Sequence, residues 1–294
     1  MATPNQRVGE YVLVERINSG TFGEVWKAHH HVWVDQLVAV KIPTDPQFLR
    51  NLQREGVAIH GLQHPNIVRA IGFDPYAEVP YLAMEYIPGT SLRPLIQKRS
   101  LTIPDTVAIM RQMLAGLAYA HESNVIHRDV KPENVLVTPA GEVKVIDWGL
   151  SGMIGEELPP TPSAETIRFL GTPAYLPPEM ARPNRPFDHR TDVYGLGATL
   201  YHAVTGRLPF AHRQATQMVL AHLNEVPVPP FDYVPEPGMF RLSEIILRMM
   251  AKDPSDRFDR PDELREELGR VLCETAGGHS KSLRSRPTTA CGAP

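Results

Sequence analysis

The chain has 294 residues, 42% of them hydrophobic, with 30 Lys+Arg against 33 Asp+Glu for a net charge of −3. That length exceeds a peptide-scale binder and suits one large unit or two lobes of roughly 150 residues, and the ordinary apolar content argues against global disorder. The near balance of charge supplies no long-range field for nucleic acid or an anionic membrane, and the only cysteines, Cys273 and Cys291, are too few and too close to the C-terminus for a disulfide framework or a thiolate metal cage.

Along the first ninety residues the pattern is mostly strands, at 11–17, 24–30, 37–42, 66–72 and 81–87, each rich in Val, Ile and Tyr. One helix interrupts them at 47–62: Phe48, Leu52, Ile59 and Leu62 share a stripe, and Glu55 takes the missing place on that inward face. From about residue 91 the spacing turns helical, through 104–121, 190–205, 240–251 and 261–272, with short strands at 134–137 and 142–146. The fold class expected is therefore α+β, a small sheet lobe preceding a larger helical lobe. The 29 prolines concentrate in 158–186 and 227–237 and mark long loops there. Residues 273–294 are small, polar and aperiodic, and are expected to form a disordered tail. No stretch approaches the roughly 18 apolar residues of a membrane-spanning helix, and MATPNQRVGE lacks the apolar core of a secretory signal. A cytoplasmic, reducing location is expected.

Four segments carry chemistry. In INSGTFGEV (17–25), Gly20 and Gly23 let a backbone approach a phosphate closely, although a glycine hairpin alone is more often only a hairpin. Lys41 ends VAVK among residues expected to be buried; a buried ammonium needs a partner, and so does Glu55, a pairing that suits a structural role equally well. HRDVKPEN (127–134) presents Asp129, Lys131 and Asn134 on one loop, an acceptor, a cation and an amide oxygen together. Asp147 in DWG is a carboxylate at a strand end before a glycine hinge, an oxygen ligand suited to Mg²⁺. The run His29, His30, His31 at a strand turn has no nearby carboxylate cluster in sequence and reads as a solvated loop.

Taken in order, NSGTFGEV, VAVK, Glu55, HPNIV (64–68), MEY (84–86), HRDVKPEN, DWG, GTPAYLPPE (171–179), DVYGLG (192–197) and Arg257 resemble the eukaryotic-type (Hanks-type) serine/threonine protein kinase family. The resemblance covers 11–272 and implies a two-lobed kinase domain, with an N-lobe at about 11–87 and a C-lobe at about 88–272. It implies transfer of the γ-phosphoryl group of ATP to Ser/Thr hydroxyls of protein substrates, with autophosphorylation and with Mg²⁺, or Mn²⁺ in its place.

By that similarity the loop of Ile17, Asn18, Ser19, Gly20, Thr21, Phe22, Gly23 and Val25 covers the nucleotide, and Lys41, held by Glu55, binds the α- and β-phosphates. Ala39, Met84, Glu85, Ile87 and Leu136 complete the adenine slot, Met84 at its back and the Glu85 and Ile87 backbone as hinge. Asn134 and Asp147 hold metal, Asp129 accepts the hydroxyl proton, and Lys131 and Thr172 sit beside it. Asp192 supports the catalytic loop, and Glu179 and Arg257 form a buried ion pair. Arg128 resembles the receiver of an activating phosphate, with Ser163 and Thr166 as candidate acceptors; Glu156 and Glu157 stand against such a pairing. Three residues depart from the pattern: Asn18 at the first glycine position, where tolerance of positive φ is expected to matter, Trp148 in place of Phe, and Pro177 in place of Ala. Two alternatives are a pseudokinase scaffold, which predicts loss of Lys41, Asp129 or Asp147, and a small-molecule kinase, whose relatives generally lack GTPAYLPPE.

Overall fold

The computed structural model describes residues 2–20, 23–154, 172–182, 186–212 and 214–282. Its first part is a six-stranded antiparallel sheet of β1 (Arg7–Val8), β2 (Tyr11–Ser19), β3 (Glu24–His30), β4 (Leu37–Ile42), β5 (Ala70–Asp74) and β6 (Tyr81–Glu85), in the order β1-β2-β3-β4-β6-β5. Period-two alternation sets its faces: Glu24, Trp26 and Ala28 of β3 are buried while Val25 and Lys27 face the opposite side. Helix α1 (Leu49–His60) follows β4 after a short turn at Pro46–Phe48, whose Asp45 side chain accepts from the Gln47 amide. Leu52, Glu55, Gly56 and Ile59 form its buried stripe.

The fifth strand lies at Ala70–Asp74 and not at 66–72. The β-rich NIV segment has another partner: Ile67 bridges Val145, the Val68 amide donates to the Val145 carbonyl, and the Val145 amide donates to the Asn66 carbonyl. Residues 66–68 thereby join the two parts of the chain.

The second part is mainly helical. It contains β7 (Thr90–Ser91), α2 (Leu92–Gln97), α3 (Ile103–Glu122), β8 (Val125–Ile126), β9 (Val135–Val137), β10 (Val143–Val145), β11 (Gly152–Met153), α4 (Arg190–Thr205), α5 (Ala215–Asn224), α6 (Met239–Met249) and α7 (Pro261–Ser282). Strands β10, β9 and β7 form one small sheet, and β11 pairs with β8. A capping box between Thr102 and Asp105 starts α3, whose Val107, Met110, Met113 and Leu117 are fully buried. Gly206, at φ 67°, stops α4 in the left-handed conformation that favours glycine.

Helix α7 continues past the expected boundary at 272. Its buried stripe of Leu264, Leu268 and Val271 extends to Thr275, which packs against Gly238, and the Thr275 hydroxyl donates to the Leu272 carbonyl. The expected tail is therefore helical through Ser282, and 283–294 lies outside the described residues. Among the described residues no helix is long and apolar enough to cross a membrane.

Candidate active site

Strand β4 places Lys41 in the middle of the sheet, opposite Val25 on β3 and Leu82 on β6. Its Nζ donates to Glu55 Oε2 at 2.6 Å and to Asp147 Oδ1 at 2.7 Å. Burial alone would pull this ammonium below its ordinary value, but the carboxylates of Asp147 and Glu55 outweigh that and raise it. Burial raises the Glu55 carboxyl, opposed by Lys41, whereas Lys41 overcomes the same burial at Asp147 and lowers it. Lys41 is thus a fixed cation shared by the buried Glu55 carboxylate and the half-buried Asp147 carboxylate.

Asp147 has φ 62°, a strained conformation for a non-glycine residue that turns its carboxylate back toward Lys41. Trp148, fully buried, leans on the His127 ring at 4.6 Å, with its indole N–H directed at the Val145 carbonyl. The Gly149 carbonyl accepts from the Asn51 side chain, which ties the DWG turn to α1.

The HRDVKPEN loop hangs from one carboxylate. Asp192, in the first turn of α4, accepts from the His127 amide at 2.9 Å, the Arg128 amide at 2.8 Å and the His121 ring at 2.7 Å. Burial would raise its pKa, but His121 and the other donors hold it low. The Asp129 amide donates to His127 Nδ1, which leaves His127 Nε2 to donate to the Ile146 carbonyl. Asp129 Oδ2 then accepts from Lys131 Nζ at 2.5 Å and Asn134 Nδ2 at 3.0 Å. Asn134 Nδ2 also donates to the Asp129 carbonyl, so its amide oxygen points away from that acid and accepts no hydrogen bond among the described residues.

Thr172 lines a small cavity together with Arg128 and Asp129, but it makes no hydrogen bond to Asp129 or Lys131. The expected contact is absent; Lys131 and Asn134 both bond Asp129 Oδ2. Arg128, at φ 65°, lies over the Phe187 ring at 4.6 Å and packs so tightly on Gly152 that a Cβ there would overlap its guanidinium. Ser163 and Thr166 lie outside the described residues, as do Thr21 and Phe22.

Met84 is buried at the pairing position beside Ala39, and Val25, Ala39, Leu136 and Ile87 are half-buried, while Ile17 is exposed. Glu85 uses its amide on the Arg69 carbonyl and its carboxylate on Lys144 Nζ at 2.6 Å. Asn18 pairs with Val25 as an ordinary strand residue and has no positive φ, so the expected need for left-handed tolerance does not arise. Ser19 ends the same strand, and the Gly20 amide closes the turn onto the Gly23 carbonyl at 2.9 Å. Gly23 permits a close approach, since a Cβ there would sit 2.4 Å from the Ile42 carbonyl oxygen.

Beneath this site, Arg257 and Glu179 form a bidentate pair at 2.7 and 2.8 Å, both fully buried. The sequence reading missed a second chain: Arg93 donates to Glu133 and to the Tyr175 hydroxyl, which reaches His202 Nδ1 at 2.7 Å. Burial lowers His202 to about 4, which keeps this ring a neutral acceptor. His121 and His127 were also missed, and the only sequence signal for the latter was its place before Arg128. The histidine run shapes a hairpin: His30 Nδ1 accepts from the Val32 and Trp33 amides. Glu10, His30 and His31 bring possible ligand atoms within 4.8 Å of one another, but Arg7 sits 3.4 Å from His31 Nε2 and supplies the cation there.

Residues 11–267 match the family model described as protein kinase domain. The chain is 31% identical to a probable serine/threonine-protein kinase of Streptomyces coelicolor, over 99% of this chain and 46% of that relative. It is 34% identical to the serine/threonine-protein kinase pkn3 of Myxococcus xanthus, over 97% of this chain and 54% of the relative. It is 32% identical to the serine/threonine-protein kinase PknB of Mycobacterium tuberculosis, over 92% and 44%. The chain spans about half the length of the curated relatives it matches.

Proposed function

The chain belongs to the protein kinase family, and from that membership we propose that it transfers the γ-phosphoryl group of ATP to serine and threonine hydroxyls of protein substrates. The two-lobed α+β fold is the family's, and the family match over residues 11–267 supports a catalytic unit at 11–272. The observation that carries the reading is Lys41, whose Nζ lies 2.6 Å from Glu55 and 2.7 Å from Asp147. A single cation against two carboxylates, Glu55 buried and Asp147 half-buried, leaves local negative charge, and the Asn134 amide oxygen adds a neutral ligand. That donor set fits a hard divalent cation. Asp147 and Asn134 would hold Mg²⁺, or Mn²⁺, which when bound offsets phosphate charge.

The protein's own groups supply positioning. Lys41, oriented by Glu55, meets the α- and β-phosphates, and the backbone from Ile17 to Val25 covers them. Met84, Ala39, Val25, Leu136 and Ile17 bracket the adenine, with the Glu85 and Ile87 backbone offering directional hydrogen bonds. Asp129 accepts the proton of the substrate hydroxyl as its oxygen attacks the γ-phosphorus, the bond to the ADP oxygen breaks, and Lys131 steadies both the acid and the transferred charge. The segment from Thr172 to Glu179, anchored by Arg257 and by the Tyr175 hydroxyl, supports a protein acceptor over a small molecule. Arg128 would receive a phosphate on Ser163 or Thr166 if the loop is switched in this way.

Purified chain with γ-labelled ATP and Mg²⁺ tests the reading on itself and on a generic basic protein, with phosphoamino-acid analysis of the product. Label on phosphoserine and phosphothreonine is expected. Label mainly on tyrosine, or transfer only to a small-molecule acceptor, would overturn it.

A further inference from the structure

Glu24 breaks the logic of its strand. Trp26 and Ala28 share its face of β3 and fill the sheet's core, yet Glu24 is 3% exposed and carries a carboxylate. Both its oxygens are engaged: Oε1 accepts from Arg16 Nη1 at 3.0 Å and Oε2 from Trp26 Nε1 at 3.1 Å. A buried carboxylate needs such partners, and these two come from different strands. The β2–β3 pairing slips register between Arg16 and Asn18, so Arg16 stands before the irregularity and Ser19, the register partner of Glu24, stands after it. Glu24 also opposes Ile42 on β4, the residue after Lys41, while the neighbouring Gly23 backbone packs on the Ile42 carbonyl.

We propose that Glu24 is a positioning residue for the nucleotide phosphates: by holding Arg16 and Trp26 across the register slip, it sets the pitch of the glycine turn over Lys41. Its side chain points into the core, away from the face that carries Val25, so it acts through the backbone of the turn and touches no phosphate itself. The proposal rests on the assignment of this turn to ATP.

The test compares Glu24→Ala, Glu24→Gln and Arg16→Ala with the parental chain, by steady-state kinetics in ATP and by calorimetric titration with ATP and Mg²⁺. Arg16→Ala removes one arm of the clamp from the half-exposed side without emptying the core, so it remains informative if Glu24→Ala fails to fold. Glu24→Ala is expected to raise KM and Kd for ATP about tenfold, with kcat at saturating ATP within about threefold, as displacement of a positioning group predicts. Glu24→Gln keeps one acceptor oxygen and turns its amide NH2 toward the other donor, so it should recover only part of the affinity, and Arg16→Ala, which leaves the Trp26 arm in place, should also fall between Glu24→Ala and the parental chain. A folded Glu24→Ala or Arg16→Ala with parental ATP affinity would overturn the proposal, since a purely structural residue would lower thermal stability alone. A parental chain that binds no ATP would overturn the ATP assignment itself, and this proposal with it.

Discussion

Replacing Glu179 by alanine strips the Arg257 guanidinium of both short contacts, at 2.7 and 2.8 Å. What remains are the Ala251 and Arg190 carbonyls, each at 2.9 Å, and the Tyr194 ring at 4.8 Å. The Arg257 side chain is 0% exposed and Glu179 2%, so water cannot replace the lost acceptors. Removing one partner of such a pair costs about 3–5 kcal/mol. Glu179→Gln keeps a hydrogen-bonding group and should cost about 1–3 kcal/mol. Replacing both residues, Glu179→Leu with Arg257→Met, removes the stranded charge and should be less damaging than Glu179→Ala alone. Urea unfolding followed by tryptophan fluorescence reads these differences, because Trp148 and Trp26 are buried. With m values of about 1–3 kcal/mol/M, the Glu179→Ala midpoint should fall by roughly 1 M or more. A shift corresponding to under about 1 kcal/mol, or a double variant less stable than Glu179→Ala, would refute the reasoning.

Asp147→Asn should lower phosphoryl transfer by at least about 100-fold while its thermal midpoint stays near the parental one, because its role is charge placement; transfer at the parental rate would exclude it from the site. Asn18→Gly should leave kcat within a few fold, since Asn18 pairs with Val25 as a strand residue without positive φ, and a collapse of kcat would show that the amide side chain takes part in the chemistry. Burial, aided by the Lys252 charge, lowers His222 from 6.5 to about 3. The unfolded chain therefore binds a proton that the folded chain resists, so stability is complete above pH 6.5 and is lost as pH falls toward 3. Between pH 7 and 5 this ring alone should cost about 2 kcal/mol, and urea midpoints for His222→Asn should show a correspondingly flatter pH dependence.

Much of the N-terminal sheet was readable because β-branched and aromatic residues cluster in short runs between turns: β3 and β4 occupy 24–30 and 37–42, as expected. The segment at 66–72 has the same composition, but Asn66, Ile67 and Val68 spend their backbone on Val145, a partner far along the chain that no local pattern reveals. Helix α5 was missed for a related reason, since only Val219, Ala221 and His222 of its ten residues are buried. In the site, residue types at family spacing marked Lys41, Glu55, Asp129, Asn134 and Asp147. Their mutual contacts were not written locally: Lys41 and Asp147 are 106 residues apart. Thr172 lines the cavity beside Asp129, but spacing in the sequence does not fix whether its hydroxyl reaches the acid.

Asp192 carries a consequence for amide hydrogen exchange. The His127 and Arg128 N–H groups belong to a loop, where exchange is ordinarily fast, yet both end on a buried carboxylate at the head of α4. Their protons can reach water only when that helix end opens, so this stretch of loop should exchange on the slow timescale of the helical core. The loop that carries Asp129 inherits the rigidity of a helix in which it has no part.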